Sequence, residues 1–144
     1  MDIQAKDIRY YGDKLLGVIT LEKLTATDNI QVGDFLKLTT GKVEKVTAAT
    51  DDATFVGIAL TRSDDADGPQ YIEVLMEGMI VVPATAAAYN FGDPLTVDPS
   101  TGTVVTDGGV NTFCHAWETA PAGTTELKVK IDVDDLQKLF AVNA

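Results

Sequence analysis

The sequence predicts an all-β fold: a compact β-barrel or β-sandwich made from two tandem four-strand repeats, with an N-terminal arm and a short C-terminal helix. Three observations predict it. Short apolar stretches are separated by turn-forming residues along most of the chain, which reads as strand and hairpin rather than helix. The clearest stretches alternate apolar and polar residues with period two, as a sheet with one buried and one wet face requires. One order of turn and strand elements also occurs twice. The 45% apolar content is enough for a packed core.

The elements follow in order. Residues 1–14 stand apart as an arm. Met1 to Gly12 mixes charges with Ile3, Ile8, Tyr10 and Tyr11 without a clean period, and Gly12-Asp13 reads as a turn. Such a segment either orders on a neighbour or adds an edge strand to its own domain. A single domain spans residues 15–144. Its strands are expected at Leu15–Leu21, Phe35–Thr39, Lys42–Thr47, Thr54–Thr61 and Tyr71–Glu77. Met79–Val82 is a short apolar run ended by Pro83, and Ala84–Ala88 suits one helical turn. Further strands follow at Pro94–Asp98, Thr103–Thr106, Thr112–Glu118 and Glu126–Val133. In Tyr71–Glu77, Ile72, Val74 and Met76 face one way. In the last strand Leu127, Val129, Ile131 and Val133 alternate with Lys128, Lys130 and Asp132. Asp134 or Asp135 then caps a short helix whose Leu136, Leu139 and Phe140 share one face. That face either plugs the open end of the sheet or contacts a sister subunit.

The internal repeat covers about residues 30–78 and 89–133. Val32-Gly33-Asp34-Phe35-Leu36 is answered by Phe91-Gly92-Asp93-Pro94-Leu95, and Thr40-Gly41-Lys42-Val43 by Thr101-Gly102-Thr103-Val104. Phe55 to Leu60 is answered by Phe113 to Glu118, and Ile72 to Leu75 by Leu127 to Lys130. Each Gly-Asp opens a tight turn, because glycine accepts positive φ and aspartate bonds its own backbone. Either unit alone would leave an apolar face wet.

Charge narrows the partners. With 22 acidic against 11 basic residues, a net charge of −11 and a pI near 4.3, the chain would be repelled by phosphate backbones and anionic membranes. No nucleic-acid or membrane partner is expected. No apolar run approaches the ~20 residues a membrane helix needs. The N-terminus lacks the apolar core of a signal peptide, so synthesis in a cytoplasm is expected.

The same reading finds no catalytic, cofactor-binding or metal-ligating set. His115 is the one histidine and Cys114 the one cysteine. As strand neighbours they point to opposite faces and cannot pair as base and nucleophile. The acidic loop Ser63 to Gly68 resembles a calcium loop only briefly: a loop starting there needs a bidentate glutamate where Val74 stands, and no helices flank it. No phosphate-cradling glycine motif is present. Arg9, Tyr10 and Tyr11 form the nearest thing to an interface anchor.

The Gly33-Asp34 turn, the Gly57 to Leu60 strand, Glu77-Gly78, Pro83-Ala84, Gly92 to Leu95 and the Thr101-Gly102 turn, in this order over residues 15–133, resemble a family of small bacteriophage capsid decoration (cement) proteins. His115-Ala116-Trp117 departs from the usual Gly-x-Ala-Leu form. The resemblance implies a non-enzymatic virion protein on the outer capsid surface, made in the host bacterium. It implies a homotrimer that clamps adjacent major capsid protein subunits of the expanded head. Ile3, Ile8, Arg9, Tyr10 and Tyr11 then become the capsid-binding arm, and Leu136, Leu139 and Phe140 the subunit contact. The alternatives are another structural virion protein at the head–tail joint or tail, a surface carbohydrate- or receptor-binding module, and a small β-barrel enzyme.

Overall fold

The period-two pattern is realised in space. Leu127, Val129 and Ile131 are fully buried, as are Ile72 and Val74, while Lys128 and Glu73 between them face solvent. The computed structural model describes residues 17–133. Its strands are β1 (Val18–Glu22), β2 (Phe35–Thr39), β3 (Lys42–Lys45), β4 (Phe55–Ala59), β5 (Tyr71–Leu75), β6 (Glu77–Tyr89), β7 (Pro94–Asp98), β8 (Thr103–Thr106), β9 (Cys114–Ala116) and β10 (Ala120–Asp132). One 3-10 turn, Ala49–Thr54, precedes β4. The fold is all-β. The arm at residues 1–14 and the C-terminal helix lie outside the described residues.

The strands form two sheets. The first is five-stranded in the order β1-β5-β4-β2-β3, and the second is a closed barrel, β10-β6-β8-β7-β9. Their pairings correspond. β1 runs antiparallel to β5 with Ile19 opposite Val74, and β6 antiparallel to β10 with Ile80 opposite Val129. The barrel closes where β6 meets β8 in parallel at Ala84–Val104, and the edges of the first sheet meet in parallel at Lys23–Val43. The Gly-Asp turns match bond for bond. Asp34 Oδ2 accepts the Gln31 N–H at 2.8 Å, and Asp93 Oδ2 accepts the Asn90 N–H at 2.8 Å. Gly33 and Gly92 sit at φ 96° and 91°, a region that a side chain disfavours.

Both sheets share one core. Phe55 and Phe113, which occupy matching positions in the two halves, pack edge to face at 5.1 Å, and Phe35 stacks on Phe55 at 5.6 Å. The two halves therefore meet through an aromatic junction.

Several sequence expectations need correction. Each sheet adds a fifth strand to the four of its repeat, β1 in the first and β6 in the second. VITLE and the start of β6 share no visible motif, so their common place in the ladder is invisible in sequence. Ala84–Ala88 forms no helical turn but continues β6 through Pro83 to Tyr89. β6 meets β8 at one position only, and a strand with a largely unpaired edge tolerates a proline. β10 starts at Ala120, six residues earlier than expected, and absorbs Pro121 and Gly123 through register shifts. Among the described residues no helix is long and apolar enough to cross a membrane.

A candidate adhesion surface

The residues with chemical potential are held apart. Cys114 is buried in β9, and burial, followed by the nearby Asp107 charge, pushes its thiol pKa far above the ordinary value. His115 points outward from the same strand. In the acidic loop, Asp65 Oδ1 accepts the Asp67 N–H at 2.9 Å, and the Gln70 amide donates to the Asp65, Ala66 and Gly68 carbonyls. That pattern builds a hairpin tip. Among the described residues, no three of the His, Cys, Asp and Glu side chains gather as a metal site would need. An open cleft of about 610 Å³ separates Asp34, Lys45 and Thr47 from Pro99, Ser100 and Thr101 of the other sheet. Asp34 is committed to its turn, which leaves Lys45 without a catalytic companion there.

The two ends of the described chain come together. The Met76 N–H donates to the Gly17 carbonyl at 2.7 Å, and the Val133 N–H donates to the Met76 carbonyl at 2.8 Å. The segments carrying Ile3, Ile8, Arg9, Tyr10 and Tyr11, and Leu136, Leu139 and Phe140, thus attach at one seam between the sheets. Those residues themselves lie outside the described part.

Starting at this seam, the outer face of β6, β10 and β9 is unusual for so acidic a chain. Alternation along β6 turns Met79 and Val81 outward, each 59% exposed. Register places them opposite Lys130 and Lys128, and Lys130 opposite His115. Lys128 and Lys130 are the only lysines or arginines between residues 77 and 133. The Lys130 ammonium lies 4.8 Å from the centre of the Trp117 ring, a cation–π contact, and Phe91 packs on that ring at 4.6 Å while staying 57% exposed. The face combines aromatic, methionine and lysine side chains, with exposed Glu77, Glu126 and Asp132 on the same side of the ladder. Sequence reasoning missed it. Met79–Val82 reads as a uniform apolar run, and only the pairing with β10 separates Met79 and Val81, which face out, from Val82, which faces in.

The matching face of the first sheet carries no lysine at the equivalent positions. Register puts Thr20 opposite Glu73 and Glu22 opposite Tyr71, all on the outer side, with Tyr71 60% exposed. Glu73 stands where the barrel has Lys128.

No curated protein sequence matches the chain. Among solved structures, the crystal structure of the head fiber gp8.5 N base in bacteriophage phi29 aligns with a TM-score of 0.52 at 20% identity, covering 81% of this chain and 93% of that one. That likeness concerns the fold. A family model described as structural cement protein (E217 gp24/Pam3 gp6) matches residues 16–132, nearly all of the described chain. The chain belongs to this family of phage structural cement proteins.

Proposed function

We propose that the protein binds the outside of the expanded phage head and clamps adjacent major capsid protein subunits, acting as a homotrimer and without catalysis. The observation that carries this reading is the seam at Met76, where Gly17 and Val133 are both bonded. Two terminal segments that continue from residues bonded to the same Met76, on two sheets sharing one core, suit a clamp. The arm of residues 1–14 reaches across a capsid joint through Ile3, Ile8, Arg9, Tyr10 and Tyr11, while Leu136, Leu139 and Phe140 contact a sister subunit. Membership of a cement family supports the same reading. Many copies of a modest interface sum to a large stabilisation of a pressurised shell.

The test is co-sedimentation of the full-length protein with expanded heads, beside the Tyr10→Ala/Tyr11→Ala variant. Saturable binding to expanded but not unexpanded heads, weakened at least tenfold in the variant, supports the clamp. Equal binding of both proteins removes the arm from it, and no binding to heads removes the function.

A further inference from the structure

We infer that the outer face of β6, where Met79 and Val81 stand exposed, receives the Leu136, Leu139 and Phe140 side chains of a second copy. The inference names the surface that the subunit contact of the proposed function meets, and it rests on that reading.

Charge does not select the occupant, because Lys128 and Lys130 share this face with Glu77, Glu126 and Asp132. Apolar exposure, spacing and the place where the described chain ends select it. Met79 and Val81 are each 59% exposed, and a cover removes both from water. They stand two residues apart on one strand, about 7 Å. Leu136 and Phe140 are four residues apart, about 6 Å on one face of the helix the sequence predicts, with Leu139 beside them. The two apolar pairs match in spacing.

Residues 134–144 begin at the rim of the same face, since the Val133 N–H donates to the Met76 carbonyl. Met79 lies opposite Lys130, three residues back along β10, so the chain reaches Val133 heading away from Met79. To sit on its own Met79, Leu136 has to return about 10 Å along the ladder and also rise clear of the outer side chains. The three residues from Val133 to Leu136 span at most about 11 Å when fully extended. Leu136 therefore falls short, and the pair Leu136 and Phe140 meets the pair Met79 and Val81 on another copy. Each copy carries one segment and one face, so the contact is head-to-tail, and a closed ring fills every face once.

Cysteine cross-linking in the full-length protein tests the contact. The native Cys114 is buried and does not compete. Val81→Cys and Phe140→Cys are made separately and mixed under mild oxidation. The expected result is a disulfide-linked pair of chains, at least about tenfold above either variant alone. Phe140→Cys mixed with Val110→Cys, which is exposed in the loop before β9, is expected to stay unlinked. In light scattering, Met79→Ser/Val81→Ser and, separately, Leu136→Ser/Phe140→Ser each weaken association about tenfold. The protein carrying all four changes loses little more than either, because the residues share one contact. Circular dichroism with melting temperature confirms folding. No linked pair in the mixture, linkage only within single chains that carry both cysteines, or a monomeric wild type overturns the inference. Head binding is measured alongside. Linked chains that fail to bind heads defeat the capsid reading alone, and head binding without linkage defeats this inference alone.

Discussion

The first sheet holds Gly57 where the barrel holds His115, and the pair shows how one ladder is satisfied in two ways. Gly57 has φ 149° and is buried in β4, and a Cβ there would lie 2.2 Å from the Leu75 carbonyl oxygen. β5 presses onto β4 so closely that only glycine fits. In the barrel, β10 pairs with β9 at Val129–Ala116 and Lys130–His115, and the imidazole stands outside in solvent. Ile58 and Ala116, each one place after, are both fully buried, so the inward side is the same. The interiors also close differently. Lys23, 2% exposed, donates to the carbonyls of Ala26, Asp28 and Ser63 at 2.8, 2.9 and 3.2 Å, pinning the loop after β1. The barrel uses Tyr89, whose hydroxyl bonds the Thr85 and Val104 carbonyls. The lesson is that matching ladders tolerate unlike fillings, with the buried Lys23 ammonium and Tyr89 hydroxyl each given carbonyl partners.

Substitutions that exploit these differences break or sharpen the comparison. The largest effect is expected for Gly57→Ala, which forces a Cβ into backbone and should cost more than about 4 kcal/mol or prevent folding. His115→Ala should stay within about 0.5 kcal/mol. Urea unfolding of both proteins measures the contrast, and equal losses would mean that the close approach at Gly57 is not needed. Lys23→Met strands three carbonyls and is expected to cost about 2–3 kcal/mol. Loss of protection at Asp28 and Ile30 in hydrogen exchange would localise the damage to the first sheet. Tyr89→Phe removes one hydroxyl and should cost about 1 kcal/mol, read as a lower melting temperature with the wild-type strand signal retained.

The smallest effect concerns pH. At Asp51, burial tends to raise the carboxyl pKa. The N–H groups of Thr47 and Ala48 and the Lys37 ammonium at 3.1 Å outweigh it, so the pKa lies below the ordinary 3.8. A carboxyl held lower in the folded state contributes stability that is fully present above pH 3.8 and fades as pH falls through the depressed value. Asp51→Asn should cost about 0.5–1 kcal/mol near neutral pH, and the gap between the two proteins should close in strong acid. A gap independent of pH would sink this account.

Much of the fold was legible because its signals are local. Gly33-Asp34, Gly92-Asp93 and the Thr-Gly turns mark hairpins by turn chemistry, and the alternation in Tyr71–Glu77 and Glu126–Val133 marks the buried side. The misreadings fall where a distant strand overrides local preference. Ala84–Ala88 favours a helix by composition, yet Val82 and Ala84 are drawn into the barrel wall by β10 and β8. Asp51-Asp52 reads as a polar turn, and its 3-10 form is held by the Asp51 side chain, which accepts the Thr47 and Ala48 N–H groups. Of the surface, sequence placed Lys128 and Lys130 on a wet face but left Met79, Val81, Phe91 and Trp117 unassigned. The residues it did assign, in the arm and at the C-terminal end, lie outside the described part.

By itself the sequence determined the all-β class, the turn positions, the inward faces of the alternating strands, the acidic charge and the family resemblance. Each follows from neighbours along the chain or from totals that need no geometry. Only the tertiary structure decided that the ladders hold five strands each, that Phe55 meets Phe113, that Gly17 and Val133 both bond Met76, and that Met79 and Val81 share an outer face with Lys128 and Lys130. These depend on register between strands dozens of residues apart. Pairing energy at such range comes from the whole ladder and its packed core, and no local stretch of sequence encodes it.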